Sequence, residues 1–151
     1  MLQRLVPVAA LIALLAAPVS AFAGLELSEA WVRALPPVQR NTAAYLTLRN
    51  AGDSVITVTG GHAAGADRLE IHRSEQVEGT MRMRQVSELT LAPGEQLQLQ
   101  PGGVHLMLLG LQKMPAEGEQ VELCLTLAAS DPVCIVAPVQ RRAGGADHSH
   151  H

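Results

Sequence analysis

At 151 residues, with 11 Lys+Arg against 14 Asp+Glu and a net charge of −3, the chain has the length of one ordinary domain. It shows no basic patch and only three aromatic residues, which argues against nucleic-acid binding. No Ser/His/Asp arrangement, nucleophile elbow or phosphate-cradling glycine loop is visible, which argues against an enzyme.

The first segment, "MLQRLVPVAALIALLAAPVSAFA" (1–23), carries one early Arg4, an apolar run, and small residues around Ala21-Phe22-Ala23. That layout predicts a secretory signal peptide cut near Ala23, with Ala21 as a second cut and a retained membrane anchor as the alternative. After the cut at Ala23 about 128 residues remain, enough to bury one core. No later run is long enough to cross a bilayer, so the product is expected to be exported and soluble, without stable membrane insertion.

From residue 24 to 140 short alternating runs dominate. They span 25–33, 42–50, 54–60, 68–74, 81–86, 95–100, 104–110, 120–127 and 133–139. Turn chemistry separates them, at Asn50-Ala51-Gly52-Asp53, Glu78-Gly79, Ala92-Pro93-Gly94, Pro101-Gly102-Gly103 and Glu117-Gly118. Strands of this length and spacing predict a single all-β domain, a sandwich or barrel. The Pro36-Pro37 stretch (35–40) reads as an exposed loop. "GHAAGADR" (61–68) reads as a second loop that leaves His62 on the surface.

Alternation places Leu69, Ile71, Leu97, Leu99 and the row Val121, Leu123, Leu125, Leu127 in the core. Trp31 and Tyr45 are expected in that core as well, without functional weight. A hairpin centred on Ala129 sets Cys124 opposite Cys134. Two readings stand for this pair: a cross-strand disulfide in an oxidising compartment, or two small buried hydrophobes.

The residues that carry chemistry are histidines and methionines. In "GGVHLMLLGL" (102–111), Leu106 and Leu108 point one way and His105 and Met107 the other. The same alternation turns Glu70 and His72 off the core. Met81 and Met83 share one face of their strand, but the pattern does not say which. An outward thioether fills no core gap, so Met107 asks for another purpose; the plainer alternative is packing for the methionines and surface for the histidines. Imidazole and thioether together suit Cu(I), because soft sulfur selects it. Zinc more often recruits Cys or carboxylate beside His. Neutral Met needs no deprotonation and cannot be lost to a disulfide outside the cytoplasm.

His72, Met83, His105 and Met107 follow the spacing H-x10-M-x21-H-x-M, which resembles the periplasmic copper chaperone family PCu(A)C. "NTAAYLTLRNAGD" (41–53), "GTMRMRQV" (79–86), "LAPGEQLQLQPGGVHLMLLGL" (91–111) and "VAPV" (136–139) also look like family segments. The resemblance spans nearly all of 25–139. It implies a cupredoxin-like Greek-key β-sandwich in the periplasm that binds one Cu(I) through His72, Met83, His105 and Met107. It also implies delivery of that copper to a partner, chiefly the dinuclear copper site of cytochrome c oxidase subunit II. Some members carry Met directly after the first His; here that position is Arg73, so a fifth sulfur falls to Met81. The cysteine pair departs from the family pattern. A cupredoxin-like electron-transfer protein is the competing reading, although blue-copper sites need a Cys near the second His. A metal-free secreted β-module would account for the fold and export but not for the four spaced ligands.

The closing segment "RRAGGADHSHH" (141–151) is small and polar and reads as a disordered tail. His148, His150 and His151 there are either a Cu(II) site or a solvated terminus.

Overall fold

The structure is a computed structural model that describes residues 24–141. The signal-peptide segment 1–23 and the tail histidines His148, His150 and His151 lie outside the described residues. Ten strands follow in order: β1 (Leu25–Arg33), β2 (Thr42–Asn50), β3 (Ile56–Ala63), β4 (Arg68–Val77), β5 (Thr80–Val86), β6 (Leu89–Leu91), β7 (Gln96–Gln98), β8 (Val104–Leu109), β9 (Gln120–Leu127) and β10 (Val133–Gln140). No helix occurs among the described residues, so none there is long and apolar enough to cross a membrane.

The strands run side by side as β5-β4-β8-β2-β1-β10-β9-β3-β6, with β7 paired to β2. A pairing of β3 with β4 at Gly61 and Leu69 joins the far side back to the near side. The result is a flattened, closed β-sandwich in which β1 and β10 form the parallel pair. Closure leaves few strand edges to protect. The core is the space enclosed, filled from one face of each strand: Ala44, Leu46 and Leu48 of β2, Leu69 and Ile71 of β4, Leu106 and Leu108 of β8, Val121, Leu123 and Leu125 of β9. Those of β4, β8 and β9 are the alternate positions the hydrophobic pattern marks as inward; on β2 the inward row is Ala44, Leu46 and Leu48, not the face of Tyr45.

Three features depart from the sequence reading. The segment taken as a loop from 61 to 68 begins inside β3, because Gly61, His62 and Ala63 pair with Leu125, Cys124 and Leu123. The short strand β6 is too brief to show a period in the sequence; it is held by β3 and by Asn50, whose buried amide donates to the carbonyls of Ser54 and Leu91. Trp31 and Tyr45 are buried, but they stand apart from the main core, on the opposite face of their strands. A bulge between Ser28 and Trp31 in β1 re-aims the strand, so that Val32 enters the core and Trp31 does not.

Glu78 (φ 50°) and Gly79 (φ 79°) form the two-residue turn between β4 and β5, with Val77 opposite Thr80. Both left-handed central residues are what a tight hairpin of this twist needs. Of the two readings of the cysteines, the disulfide is the one present: Cys124 and Cys134 are direct partners across β9 and β10 and are bonded to each other. Cys134→Ser opens a closure of 10 residues. It is expected to cost about 3 kcal/mol of stability through the unfolded chain, measurable as a lower urea midpoint.

Candidate metal centre

β5, β4, β8 and β2 are neighbours, and their registers build the centre on the face away from the core. His72 is the direct partner of His105 across β4 and β8. Glu70 lies opposite Met107, and Met107 opposite Ala43 of β2. Met83 pairs with Ser74 of β4, and Met81 with Gln76. Residues paired in this way share a face. His72, Met83, His105, Met107 and Met81 therefore all project from the same side, which the alternation within β5 alone left open.

Met83, His105 and Met107 line one open cavity of about 240 Å³, together with Tyr45 and Arg33. His72 stands beside it, its ring centroid 6.0 Å from that of His105. Met83 is 64% exposed and Met81 57%, both on the edge strand; Met107 is half-buried. His105 faces off the core as the alternation marks it, yet it is only 4% exposed. Tyr45 (ring centroids 6.3 Å) packs beside it, and Trp31 stacks on Tyr45 at 4.5 Å. The Arg33 guanidinium lies 5.4 Å from the Tyr45 ring centroid. Tyr45 thus walls the centre with Trp31 behind it, so Tyr45, expected to be buried without functional weight, belongs to the site.

Each imidazole has one nitrogen committed. His105 Nδ1 donates to the Gly103 carbonyl at 3.0 Å, which leaves the Nε2 lone pair free in the neutral ring. His72 Nε2 lies 2.9 Å from Glu70 Oε2 and donates to that carboxylate, leaving the lone pair on Nδ1. That Nδ1 is buried and has no hydrogen-bond partner. An orphaned buried acceptor is costly unless something else satisfies it. A carboxylate or carbonyl fixing one nitrogen while the other is bare is the arrangement seen around histidine metal ligands. Sequence reasoning missed Glu70, Gly103 and Tyr45 as parts of this centre. Glu70 was within reach of it, since it lies two residues before His72 on the same face.

Burial pushes the His105 pKa below its ordinary value; its Gly103 hydrogen bond opposes this, and nearby His72 and Arg33 add to it. The ring therefore stays neutral and ready to donate a lone pair. Because the unfolded chain takes up this proton more readily, the group adds stability above its unfolded pKa of about 6.5 that is lost as pH falls toward the folded value. The metal-free protein is expected to melt at progressively lower temperature as pH drops from about 6.5, and His105→Gln is expected to flatten that dependence in a calorimetric pH series. Burial also raises the Tyr45 phenol above its usual range, with Arg33 partly offsetting it, so Tyr45 is a neutral wall and not an anionic ligand.

Residues 25–139 match the family model described as "Putative lipoprotein LpqE-like". The chain belongs to this LpqE-like family. A relative from Leifsonia xyli subsp. xyli, "Putative lipoprotein Lxx21020", is 29% identical over 80% of this chain and 72% of its own length. Among solved structures, the CuI form of DR1885 from Deinococcus radiodurans is 31% identical, with 82% of each chain covered and a TM-score of 0.61. The copper-bound PCuAC domain from PmoF2 is 22% identical, with 80% of this chain and 95% of that domain covered and a TM-score of 0.65. The LpqE-like chain therefore shares the cupredoxin-like β-sandwich of PCuAC domains.

Proposed function

We propose that this LpqE-like protein is a PCuAC-type copper carrier that holds one Cu(I) through His72, Met83, His105 and Met107 and passes it to a partner. The observation that carries the reading is the shared face: four donors from β4, β5 and β8 in register, with two imidazole lone pairs left free for a ligand. The copper-bound forms of DR1885 and of the PmoF2 domain support it. The donor chemistry fits the cargo, because two neutral thioethers and two neutral imidazoles select Cu(I) without releasing protons. They also release it more readily than thiolates do. Met83 on an exposed edge strand is where an incoming partner ligand can displace the first donor, with Met81 two residues away on the same face as a transient fifth sulfur.

The destination proposed is a respiratory oxidase, at the dinuclear copper site of its subunit II. The setting proposed is the periplasm, reached through the leader 1–23 with a cut near Ala23. The tail histidines His148, His150 and His151 are proposed to take up Cu(II); a chain ending at Gln140 should then bind fewer equivalents of Cu(II) than the full chain.

The electron-transfer alternative needs a thiolate beside the histidines. Here both cysteines sit on β9 and β10 and are bonded to each other. Cu(II) added to the protein is expected to give no intense blue colour, while Cu(I) titrated against a chromophoric chelator is expected to bind at about one equivalent. An intense blue species, or no competition with the chelator, contradicts the carrier reading.

A further inference from the structure

A second row of donors lies on β3, β9 and β10, strands that take no part in the His/Met centre. Cys124 in β9 has His62 of β3 as its partner on one side and Cys134 of β10 on the other. Paired residues share a face, so the three side chains project from the sandwich in a line across three strands. His62 and Cys134 are exposed, whereas Cys124 between them is 2% exposed, although Glu122 and Thr126 on the same face of β9 are exposed. Gly61 fixes the close approach of β3 to β9, since a Cβ there would run into the Cys124 carbonyl oxygen. The two cysteines are bonded to each other, and no group of three His, Cys, Asp or Glu residues that could hold a metal occurs among the described residues.

We propose that reduction of the Cys124–Cys134 disulfide creates a second metal site, in which His62, Cys124 and Cys134 hold one Cu(I). The reductant is a dithiol. Its thiolate attacks the sulfur of exposed Cys134, the Cys124–Cys134 bond breaks, and the Cys124 sulfur leaves and takes a proton. The second thiol of the reductant then closes on the first, freeing Cys134 and leaving the reductant as a disulfide. Two electrons and two protons thus pass to the cysteine pair. Cu(I) replaces the two thiol protons without changing oxidation state, and the His62 imidazole completes a three-coordinate site. Two thiolates and an imidazole are donors that select this soft ion. The copper capacity of the protein would then follow the redox state of its surroundings.

The test compares oxidised protein with protein reduced by a phosphine that is then removed under anaerobic conditions. Each is titrated with Cu(I) against a chromophoric chelator. Reduction is expected to add about one equivalent, with a new ultraviolet thiolate-to-copper absorption. The added equivalent should vanish in Cys134→Ser and weaken in His62→Ala, which leaves the oxidised count unchanged. The same difference is expected in Met83→Ala/Met107→Ala, so a failure of the His/Met centre leaves this result readable. Equal counts in the two states overturn the proposal, as does an added equivalent that survives Cys134→Ser or is indifferent to His62→Ala. Loss of the cooperative thermal transition on reduction also overturns it.

Discussion

His105→Ala is expected to lower Cu(I) affinity by more than about a hundredfold, because even an outer-shell partner of a metal ligand costs about 10–100-fold when lost. The chain should still fold. His105 lies outside the main core, beside Tyr45 and His72, and its loss frees the Gly103 carbonyl next to an already open cavity. A stability cost of about 1–2 kcal/mol follows. Met83→Ala is the cleaner companion, since that side chain is 64% exposed and its removal should change stability by no more than about 0.5 kcal/mol. Competition with a Cu(I) chelator reads the affinities, and urea melts read the stability. Unchanged affinity in both variants contradicts ligation by these residues.

The second large effect is on the fold beneath the centre. Leu106→Ala is expected to destabilise the protein by about 2–5 kcal/mol. Leu106 is fully buried in β8, which is flanked by β2 and β4, and it pairs with Ala44 and Ile71, themselves buried. These neighbours sit on the two flanking strands and cannot collapse easily into the space. His105 and Met107 flank Leu106 in sequence, so a shift of β8 would also carry two donors away from His72. Urea denaturation should show a lower midpoint, and a change under about 1 kcal/mol would contradict the packing described.

Much of this could be read from the chain because period-two alternation is a local property. It marked Leu106 and Leu108 as inward and His105 and Met107 as belonging to the other face, and the structure places them so. It also set Cys124 opposite Cys134 from the hairpin length alone. What it could not supply was tertiary. Facing away from the core does not mean facing water: His105 is buried because Tyr45, brought in from β2, covers it. The face of Met83 depends on the pairing of β5 with β4, which Arg82 and Arg84 obscured; in the structure Arg84 is satisfied by an ion pair to Glu75 on the opposite face. Strand β6 was missed because three residues are too few to show a period, and its stability comes from β3 and the Asn50 amide. The glycines of 61–68 read as a loop, yet Gly61 sits in a strand where only a bare backbone fits against Cys124.

X-ray absorption at the copper edge of the Cu(I)-loaded, oxidised protein tests the four-donor centre most directly, since it counts the neighbours of the ion itself. Donation by His72, Met83, His105 and Met107 predicts a mixed shell of about two nitrogens and two sulfurs. The sulfur part should weaken in Met83→Ala and the nitrogen part in His105→Ala. A shell with no sulfur, or one that neither substitution alters, would contradict it.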